Sequence, residues 1–255
     1  MITGSSGLLG KYLANELSVY NCNLILVDKH IDLELSHNRN VDSEKILSVE
    51  CDITNCDSIK NLMNKSTKKF KEVDALINCA ALNDSLENNI SKNNFYMPES
   101  YESFMEMLKI NVGGTYNMCC LIGEHMIKNG KGTIVNIAST YGITSPDQEI
   151  YKNKKDENIF IKGPAYPISK ASVIHLTKYL AVLWAETKLT INCLSPGGIL
   201  NNQDSDFVEN YSTRCPKKRM SNTSDYLSPI LFLISDTTPY MTGSNIVVDG
   251  GWTII

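Results

Sequence analysis

The sequence has few of the residues that build metal centres or disulfide frameworks. Its 255 residues include four histidines, and none of its eight cysteines forms a CxxC pair. Structural zinc sites depend on such pairs or on clustered histidines, so we expect no metal site. Several cysteines fall in apolar, strand-like runs. We therefore expect reduced thiols in a cytoplasmic protein.

Long runs of one kind are also missing. No apolar run reaches the roughly 18 residues that a membrane helix needs. The first residues, MITGSSGLLG, have neither the basic start nor the cleavable apolar stretch of a signal peptide. There is no long basic run and the net charge is −4, so nothing indicates nucleic acid as a partner. We expect neither a membrane nor a nucleic acid among the partners.

The remaining composition is that of a globular domain, with 42% hydrophobic and 20% charged residues. Apolar runs rich in branched side chains are typical of strands buried on both faces. They lie at 24–27, 46–49, 75–77, 133–137, 190–194 and 245–248. Helical patterns alternate with them, around 8–20, 55–69, 101–129, 166–187 and 224–235. This order predicts an α/β protein with one Rossmann-like, doubly wound parallel β-sheet, and a single domain over 1–255.

A glycine-rich turn opens the chain. Gly4, Gly7 and Gly10 give the spacing GxxGxxG directly before an apolar helical pattern. Such a turn lets a pyrophosphate approach the helix N-terminus, although a plain strand–helix turn is the simpler reading. Asp28 follows the next strand, where a carboxylate can bind the ribose of NAD and repel a 2′-phosphate; the alternative is an aspartate that caps a loop.

The first strand appears clipped, because only Met1 and Ile2 precede the turn. A central strand averages about 5–6 residues. We therefore expect the natural chain to start upstream of Met1.

Tyr166 and Lys170, in the stretch YPISK, stand four residues apart in a helical pattern. That spacing puts the ammonium beside the phenol on one helix face. A cation favours the phenolate and lowers the tyrosine pKa towards neutrality, so such a tyrosine can exchange a proton with an alcohol or ketone. Alone, the pair is weak evidence, because tyrosine and lysine at this spacing often lie on a solvated helix face.

Seven further motifs occur in order along the chain: GSSGLLG, ECDIT, NCAA, KINVGGTY, GTIVNIAS, SPGGI and VDGG. With YPISK, they cover nearly the whole chain and resemble the short-chain dehydrogenase/reductase family. The resemblance implies four catalytic residues: Asn111, Ser139, Tyr166 and Lys170. It implies that the cofactor is bound by Gly4, Ser6, Gly7, Leu8, Gly10, Asp28, Asp52, Ile53, Asn78, Ala80, Tyr166, Lys170, Pro196, Gly197 and Ile199.

The resemblance implies hydride transfer between a nicotinamide and a carbonyl or secondary alcohol. Tyr166 would exchange the hydroxyl proton, Lys170 would lower the pKa of Tyr166 and hold the ribose, and Ser139 would bond the substrate oxygen. Asn111 would hold a water that links Lys170 to solvent. The family also implies a homo-oligomer, a tetramer or dimer, built through 101–129, 166–187 and the C-terminal strand.

Some features depart from the family pattern. The glycine spacing is that of the extended, sugar-nucleotide-modifying branch rather than the GxxxGxG of the main branch. NCAA replaces NNAG, and Asn201 stands where the family often has threonine. Ser139 and Tyr166 lie farther apart than usual, which predicts an insertion at 142–164. The insertion, with GGILNNQD and YMTGSNIVVDGGWT, resembles oxidoreductases of flagellin-modification and nonulosonic-acid gene cassettes.

The predicted function is therefore an NAD(P)-dependent oxidoreductase. Asp28 favours NAD, and NADP stays possible because Lys11 or Lys29 could meet a 2′-phosphate. Two other functions stay open: an extended-type sugar epimerase or dehydratase, and a non-catalytic NAD-binding scaffold.

The insertion is rich in polar residues and both its ends adjoin the reacting centre, so we expect it to form part of the substrate pocket. A second polar segment, 201–219, adds four cations that could hold a phosphate: Arg214, Lys217, Lys218 and Arg219. We expect a polar, phosphorylated or nucleotide-linked sugar as the substrate. The alternatives are that Arg219 has the structural role implied by the family resemblance while the lysines of the insertion are solvated or line a subunit contact, and that the substrate is a small apolar ketone.

Overall fold

The computed structural model describes residues 1–31, 42–83, 99–155 and 160–255. Seven parallel strands form one sheet in the order β3-β2-β1-β4-β5-β6-β7. Their bounds are β1 Ile2–Thr3, β2 Leu24–Asp28, β3 Ile46–Glu50, β4 Ala75–Asn78, β5 Gly132–Ile137, β6 Leu189–Pro196 and β7 Asn245–Val248. The doubly wound parallel sheet predicted from the apolar runs is confirmed.

Helices cover both faces of the sheet. The α-helices of the described residues are α1 Leu8–Leu17, α2 Cys56–Phe70, α3 Tyr101–Leu108, α4 Thr115–Lys128, α5 Ala165–Leu183, α6 Ser205–Arg214 and α7 Leu227–Ile234. Strand β2 shows how the two layers arise: Ile25 and Val27 pack with α2, α4 and α5, whereas Leu24 and Leu26 pack with α1 and α7. Alternate side chains of a strand point to opposite faces, so a continuous apolar run serves both cores. None of the described helices combines the length and hydropathy needed to span a bilayer.

The first strand is short and central. Ile2 pairs with Leu26 of β2 and with Ile77 of β4, and the N–H of Ile77 donates to the carbonyl oxygen of Met1 at 2.9 Å. Because β1 and β4 are neighbours, the chain reverses its direction of sheet growth between them. The loops after β1 and β4 therefore diverge and leave a crevice at the carboxyl edge of the sheet.

The stretch predicted as one helix over 101–129 contains an irregular segment. Between α3 and α4 the chain forms a π-helical turn over Lys109–Gly114, and Asn111 lies within it. Such a turn inserts an extra residue into the helix and often occurs at functional sites. The helical pattern predicted the element but not this turn, because one inserted residue hardly alters apolar periodicity.

Candidate active site

Helix α5 carries Tyr166 in its first turn and Lys170 one turn later. The ammonium of Lys170 is 4% exposed, donates to the carbonyl oxygen of Ile137 at 2.8 Å and lies 5.6 Å from the ring centroid of Tyr166. Burial lowers the pKa of Lys170 to about 8. At neutral pH the lysine is therefore still largely a cation, and it faces the phenol as the YPISK spacing predicts.

Ser139 lies just beyond the end of β5, at the same cavity as Tyr166 and Lys170. Its Oγ accepts the backbone N–H of Tyr141 at 3.1 Å. That bond fixes the oxygen and leaves the hydroxyl hydrogen to be donated to a substrate oxygen. The structure thus brings three of the four predicted catalytic side chains to one cavity.

Asn111 does not line this cavity. Its Nδ2 donates to the carbonyl oxygen of Leu82 at 2.9 Å and to Oγ of Ser169 at 3.0 Å, and its Oδ1 accepts the N–H of Leu82 at 2.7 Å. The side chain therefore ties the segment after β4 to the first turn of α5. Its place beside the catalytic helix agrees with the sequence, while the water link to Lys170 stays a prediction.

The glycine-rich turn has the shape that a pyrophosphate needs. Gly4 adopts φ +66°, a conformation that side chains disfavour, and a Cβ on Gly10 would lie 2.0 Å from the carbonyl oxygen of Gly4. Helix α1 starts at Leu8, and no side chain caps its N-terminus. Its first amides can therefore bind an anion. Gly4, Gly7, Leu8 and Gly10 all line the cavity, so this part of the chain fits a dinucleotide.

Asp28 ends β2 beside this turn. Its carboxylate accepts the N–H of Ser6 at 2.9 Å and of Lys29 at 2.7 Å, which holds it where the ribose of a dinucleotide would lie. The ammonium of Lys29 is 3.8 Å from the carboxylate of Asp52. Asp52 also accepts two hydrogen bonds from Thr54, which lower its pKa. The lowered pKa keeps the carboxyl group of Asp52 ionised beside Lys29.

The remaining predicted cofactor residues divide into two groups. Pro196, Gly197 and Ile199 line the cavity after β6. Ser6, Asp28, Asp52, Ile53, Asn78 and Ala80 are not part of its lining.

Asn78 is expected to bind the cofactor, but the residue is only 4% exposed, and its side-chain amide donates to Oδ1 of Asn136 at 2.8 Å within the core. The NCAA turn is nevertheless well held, since Oγ1 of Thr3 accepts the N–H groups of both Cys79 and Ala80. Cofactor contacts by these residues stay predictions.

The insertion meets the cavity with aromatic side chains and one lysine rather than with its polar majority. Tyr151, Phe160 and Lys162 line the cavity. Tyr151 packs against Phe160 and against Phe207 of α6, with ring centroids 5.3 and 5.2 Å apart. Of its charged residues, Asp147, Lys152 and Lys154 form ion pairs instead. Residues 156–159 lie outside the described part of the chain.

Three of the four cations expected to hold a phosphate have internal partners. Arg214 is ion-paired with Asp147 and lies over the ring of Trp252, Arg219 is bidentate to Asp225, and Lys218 donates to the carbonyl oxygen of Thr213. None of the four, Lys217 included, lines the cavity. The phosphate role expected for these cations is therefore not supported, and the structural alternative applies to Arg219.

Sequence reasoning named the segments 142–164 and 201–219 as the substrate side but did not single out the side chains that line the cavity. Those it did not name are Asn83, Tyr141, Tyr151, Phe160, Lys162, Phe207 and Tyr211. One signal was present: Lys162 precedes Tyr166 by four residues, as Lys170 follows it by four. The others come from loops and from α6, and no local pattern marks them. Together with the cofactor cradle they enclose about 700 Å³.

Comparisons with known proteins agree with this geometry. A family model described as "Enoyl-(Acyl carrier protein) reductase", of the short-chain alcohol dehydrogenase type, matches residues 5–253. The post-translational flagellin modification protein A of Campylobacter coli is 28% identical over 98% of this chain and 96% of its own length. The 2-dehydro-3-deoxy-D-gluconate 5-dehydrogenase of Escherichia coli is 26% identical over 99% of this chain and 94% of its own.

A solved structure extends the likeness to three dimensions. The short chain dehydrogenase of Leptospira borgpetersenii with bound NAD+ superposes with a TM-score of 0.82, at 32% identity, over 99% of this chain and 91% of that one. The likeness in fold thus extends over nearly the whole chain. The chain belongs to the short-chain dehydrogenase/reductase family and is an NAD(P)-dependent oxidoreductase.

Proposed function

We propose that the protein transfers a hydride between nicotinamide and a secondary alcohol or ketone of a sugar derivative, in surface-glycan or flagellin-glycan biosynthesis. The observation that carries this proposal is the cavity itself. It joins the cofactor cradle to Ser139, Tyr166 and Lys170, and it is closed on the far side by the insertion and α6. The flagellin modification protein and the gluconate-type dehydrogenase among the relatives support the sugar class.

Each catalytic side chain has a role that follows from its position. Tyr166 exchanges the proton of the substrate hydroxyl, and the buried Lys170 stabilises the phenolate that results. Ser139 donates its hydroxyl hydrogen to the reacting oxygen and stabilises negative charge there. The nicotinamide supplies the hydride chemistry; the protein supplies position and electrostatics.

The cofactor is NAD(H) in preference to NADP(H) in this proposal. The carboxylate of Asp28 is held by the N–H groups of Ser6 and Lys29 beside the glycine-rich turn, and a carboxylate that binds the ribose there would repel a 2′-phosphate. Lys29, which could have met that phosphate, points towards Asp52. The neighbour from Leptospira, whose structure contains NAD+, is consistent with this choice.

The substrate side of the cavity suits a hydroxylated ring. Tyr151, Phe160 and Phe207 give it apolar faces, while Asn83 and the hydroxyls of Tyr141 and Tyr151, 3.1 Å apart, give it polar edges. Mostly apolar walls with a few convergent polar groups are typical of small-molecule sites. A phosphorylated or nucleotide-linked sugar remains the substrate we propose. Arg214 and Arg219 are not assigned to its phosphate, because both are ion-paired and neither lines the cavity.

Self-association is part of the proposal. Helix α5 exposes Tyr179, Val182 and Leu183 by 60% or more of their surface, and Ile254 and Ile255 are similarly exposed at the C-terminus. Contiguous apolar faces of this kind mark contact surfaces. We propose a homo-oligomer, a tetramer or dimer, in the cytoplasm.

A substrate panel tests the function. The purified protein is incubated with NADH and keto sugars in three forms, unmodified, phosphorylated and nucleotide-linked, and the absorbance of the reduced cofactor is followed. The Tyr166→Phe variant is the matched control. We expect turnover in at least one sugar arm that Tyr166→Phe abolishes. Products formed without net oxidation of NADH would instead indicate an epimerase or dehydratase, and cofactor binding without any product would indicate a scaffold.

A further inference from the structure

A second lysine lies against the catalytic tyrosine. The ammonium of Lys162 is 4.6 Å from the ring centroid of Tyr166, closer than Lys170 at 5.6 Å. Lys162 is 6% exposed and lines the same cavity as Ser139 and Tyr166. A lysine is rarely so buried, because removing an ammonium from water is costly. Its position therefore calls for an explanation in terms of the site.

The insertion holds Lys162 firmly. The side-chain amide of Gln148 accepts the N–H of Lys162 at 3.0 Å and donates to its carbonyl oxygen at 3.1 Å. The ammonium donates to Oδ1 of Asn83 at 2.5 Å. Backbone and charged end are thus fixed from two separate segments, in contrast to a surface lysine that moves freely.

We propose that Lys162 is a positioning residue that stabilises the ionised form of Tyr166 together with Lys170, so that two cations rather than one prepare the proton acceptor. The physical reason is that a cation within about 6 Å in a partly desolvated site favours the phenolate over the phenol. The proposal rests on the proposed function only in taking Tyr166 as the group that exchanges the proton.

Other titratable groups around the cavity do not provide this charge. Among the described residues they are Cys79, Tyr141, Tyr151, Asp204 and Tyr211, with Glu99 behind the helix accepting the N–H of Ala165. Burial raises the pKa of Cys79 to about 11 and raises the pKa of Tyr141 and Tyr211 as well, so these three stay neutral near pH 7. Asp204 and Glu99 have carboxyl groups, which cannot supply a cation. Among the described residues around the cavity, the two lysines are thus the groups that can favour the phenolate.

The test measures the ionisation of Tyr166 directly and needs no substrate. Tyrosinate absorbance is titrated in the wild-type protein and in Lys162→Met, Lys162→Gln and Lys162→Arg, each compared with the same protein carrying Tyr166→Phe. Lys154→Met is the matched control, since Lys154 lies in the same insertion but is exposed and paired with Asp206. Melting temperature and NADH affinity establish that each variant is folded.

At 4.6 Å and the effective dielectric of about 20 used for Lys170, we expect the pKa of Tyr166 to rise by about two to three units in Lys162→Met and in Lys162→Gln, and to return most of the way in Lys162→Arg. Lys154→Met should leave the titration unchanged. Once a substrate is known, the acidic limb of kcat/KM for alcohol oxidation should move by the same amount. An unchanged titration in a folded Lys162→Met protein overturns the proposal. So does a loss confined to KM for anionic substrates, which would make Lys162 a substrate-binding group. Failure of the sugar assay alone leaves the titration result intact, so the two proposals fail separately.

Discussion

Replacing Lys170 with methionine should weaken catalysis and should also remove the pH-dependent free-energy cost of burying an ammonium in the folded protein. The ammonium lies 5.6 Å from the ring of Tyr166. With that separation and an effective dielectric of about 20, its attraction to a phenolate is about 3 kcal/mol, or about two pKa units. The ionised fraction of Tyr166 near neutral pH should then fall by about 100-fold, and kcat/KM for alcohol oxidation should fall with it.

The same substitution affects stability through desolvation of the Lys170 ammonium rather than through its attraction to the phenolate. The pKa of Lys170 is 10.5 in the unfolded chain and about 8 in the fold, because burial disfavours the ammonium. Below pH 8 the folded protein carries the full penalty, about 3 kcal/mol. Between pH 8 and 10.5 the unfolded state binds more protons, so wild-type stability rises with pH through that window. Methionine at this position does not titrate, so the rise contributed by Lys170 should be absent from the variant.

The assay compares urea unfolding of wild type, Lys170→Met and Lys170→Arg at several pH values between 7 and 10.5, together with kcat/KM near neutral pH. Lys178→Met is the control, because Lys178 is on the same helix and exposed. Loss of the bond to Ile137 should cost about 1–2 kcal/mol against the penalty of about 3 kcal/mol that the substitution removes, so we expect Lys170→Met to be about 1–2 kcal/mol more stable than wild type near pH 7. The reasoning is refuted if the two stability curves run parallel above pH 8, or if catalysis falls less than about tenfold.

Three further outcomes follow from the site. Tyr166→Phe should lower kcat by about 100-fold or more with NADH affinity unchanged, measured by cofactor fluorescence; near-normal turnover would remove the tyrosine from the proton transfer. Gly10→Ala should weaken NADH binding by about tenfold or more, because its Cβ would meet the carbonyl oxygen of Gly4 at 2.0 Å, and unchanged affinity would contradict the proposed pyrophosphate turn. Wild type should show a higher kcat/KM with NADH than with NADPH, and Asp28→Ser should lower the ratio of the NADH value to the NADPH value. A wild-type preference for NADPH contradicts the role given to Asp28.

Local patterns predicted what short-range geometry controls. The four-residue spacing of Tyr166 and Lys170 placed both on one face of α5, because any α-helix brings such positions together. The glycines at 4, 7 and 10 predicted a close turn before α1, because Gly4 adopts φ +66° and a Cβ on Gly10 would clash with the carbonyl oxygen of Gly4. The near-continuous apolar runs predicted a parallel sheet, because strands that are buried on both faces need apolar side chains at nearly every position.

Local sequence patterns could not predict which residues form ion pairs or hydrogen bonds with the polar side chains of the site. Arg214 was a candidate phosphate ligand in the sequence, and in the fold it pairs with Asp147, 67 residues away along the chain. The water that Asn111 is expected to hold stays a prediction, and the sequence did not show that its side chain bonds Leu82 and Ser169. Which charges meet depends on how separate loops pack, and a hydrogen bond between distant residues leaves no periodic mark.

The amino-acid sequence by itself determined the sheet, the glycine-rich turn, the Tyr166–Lys170 pair on one helix face and the family, because each rests on spacing within one or two elements. The substrate side was decided only by the tertiary structure. There the insertion turns its aromatic residues and Lys162 towards Tyr166 and directs Asp147 and Lys154 to ion pairs elsewhere. A polar segment can expose or bury any of its side chains, and long-range packing against α6 selects which of them face the cavity.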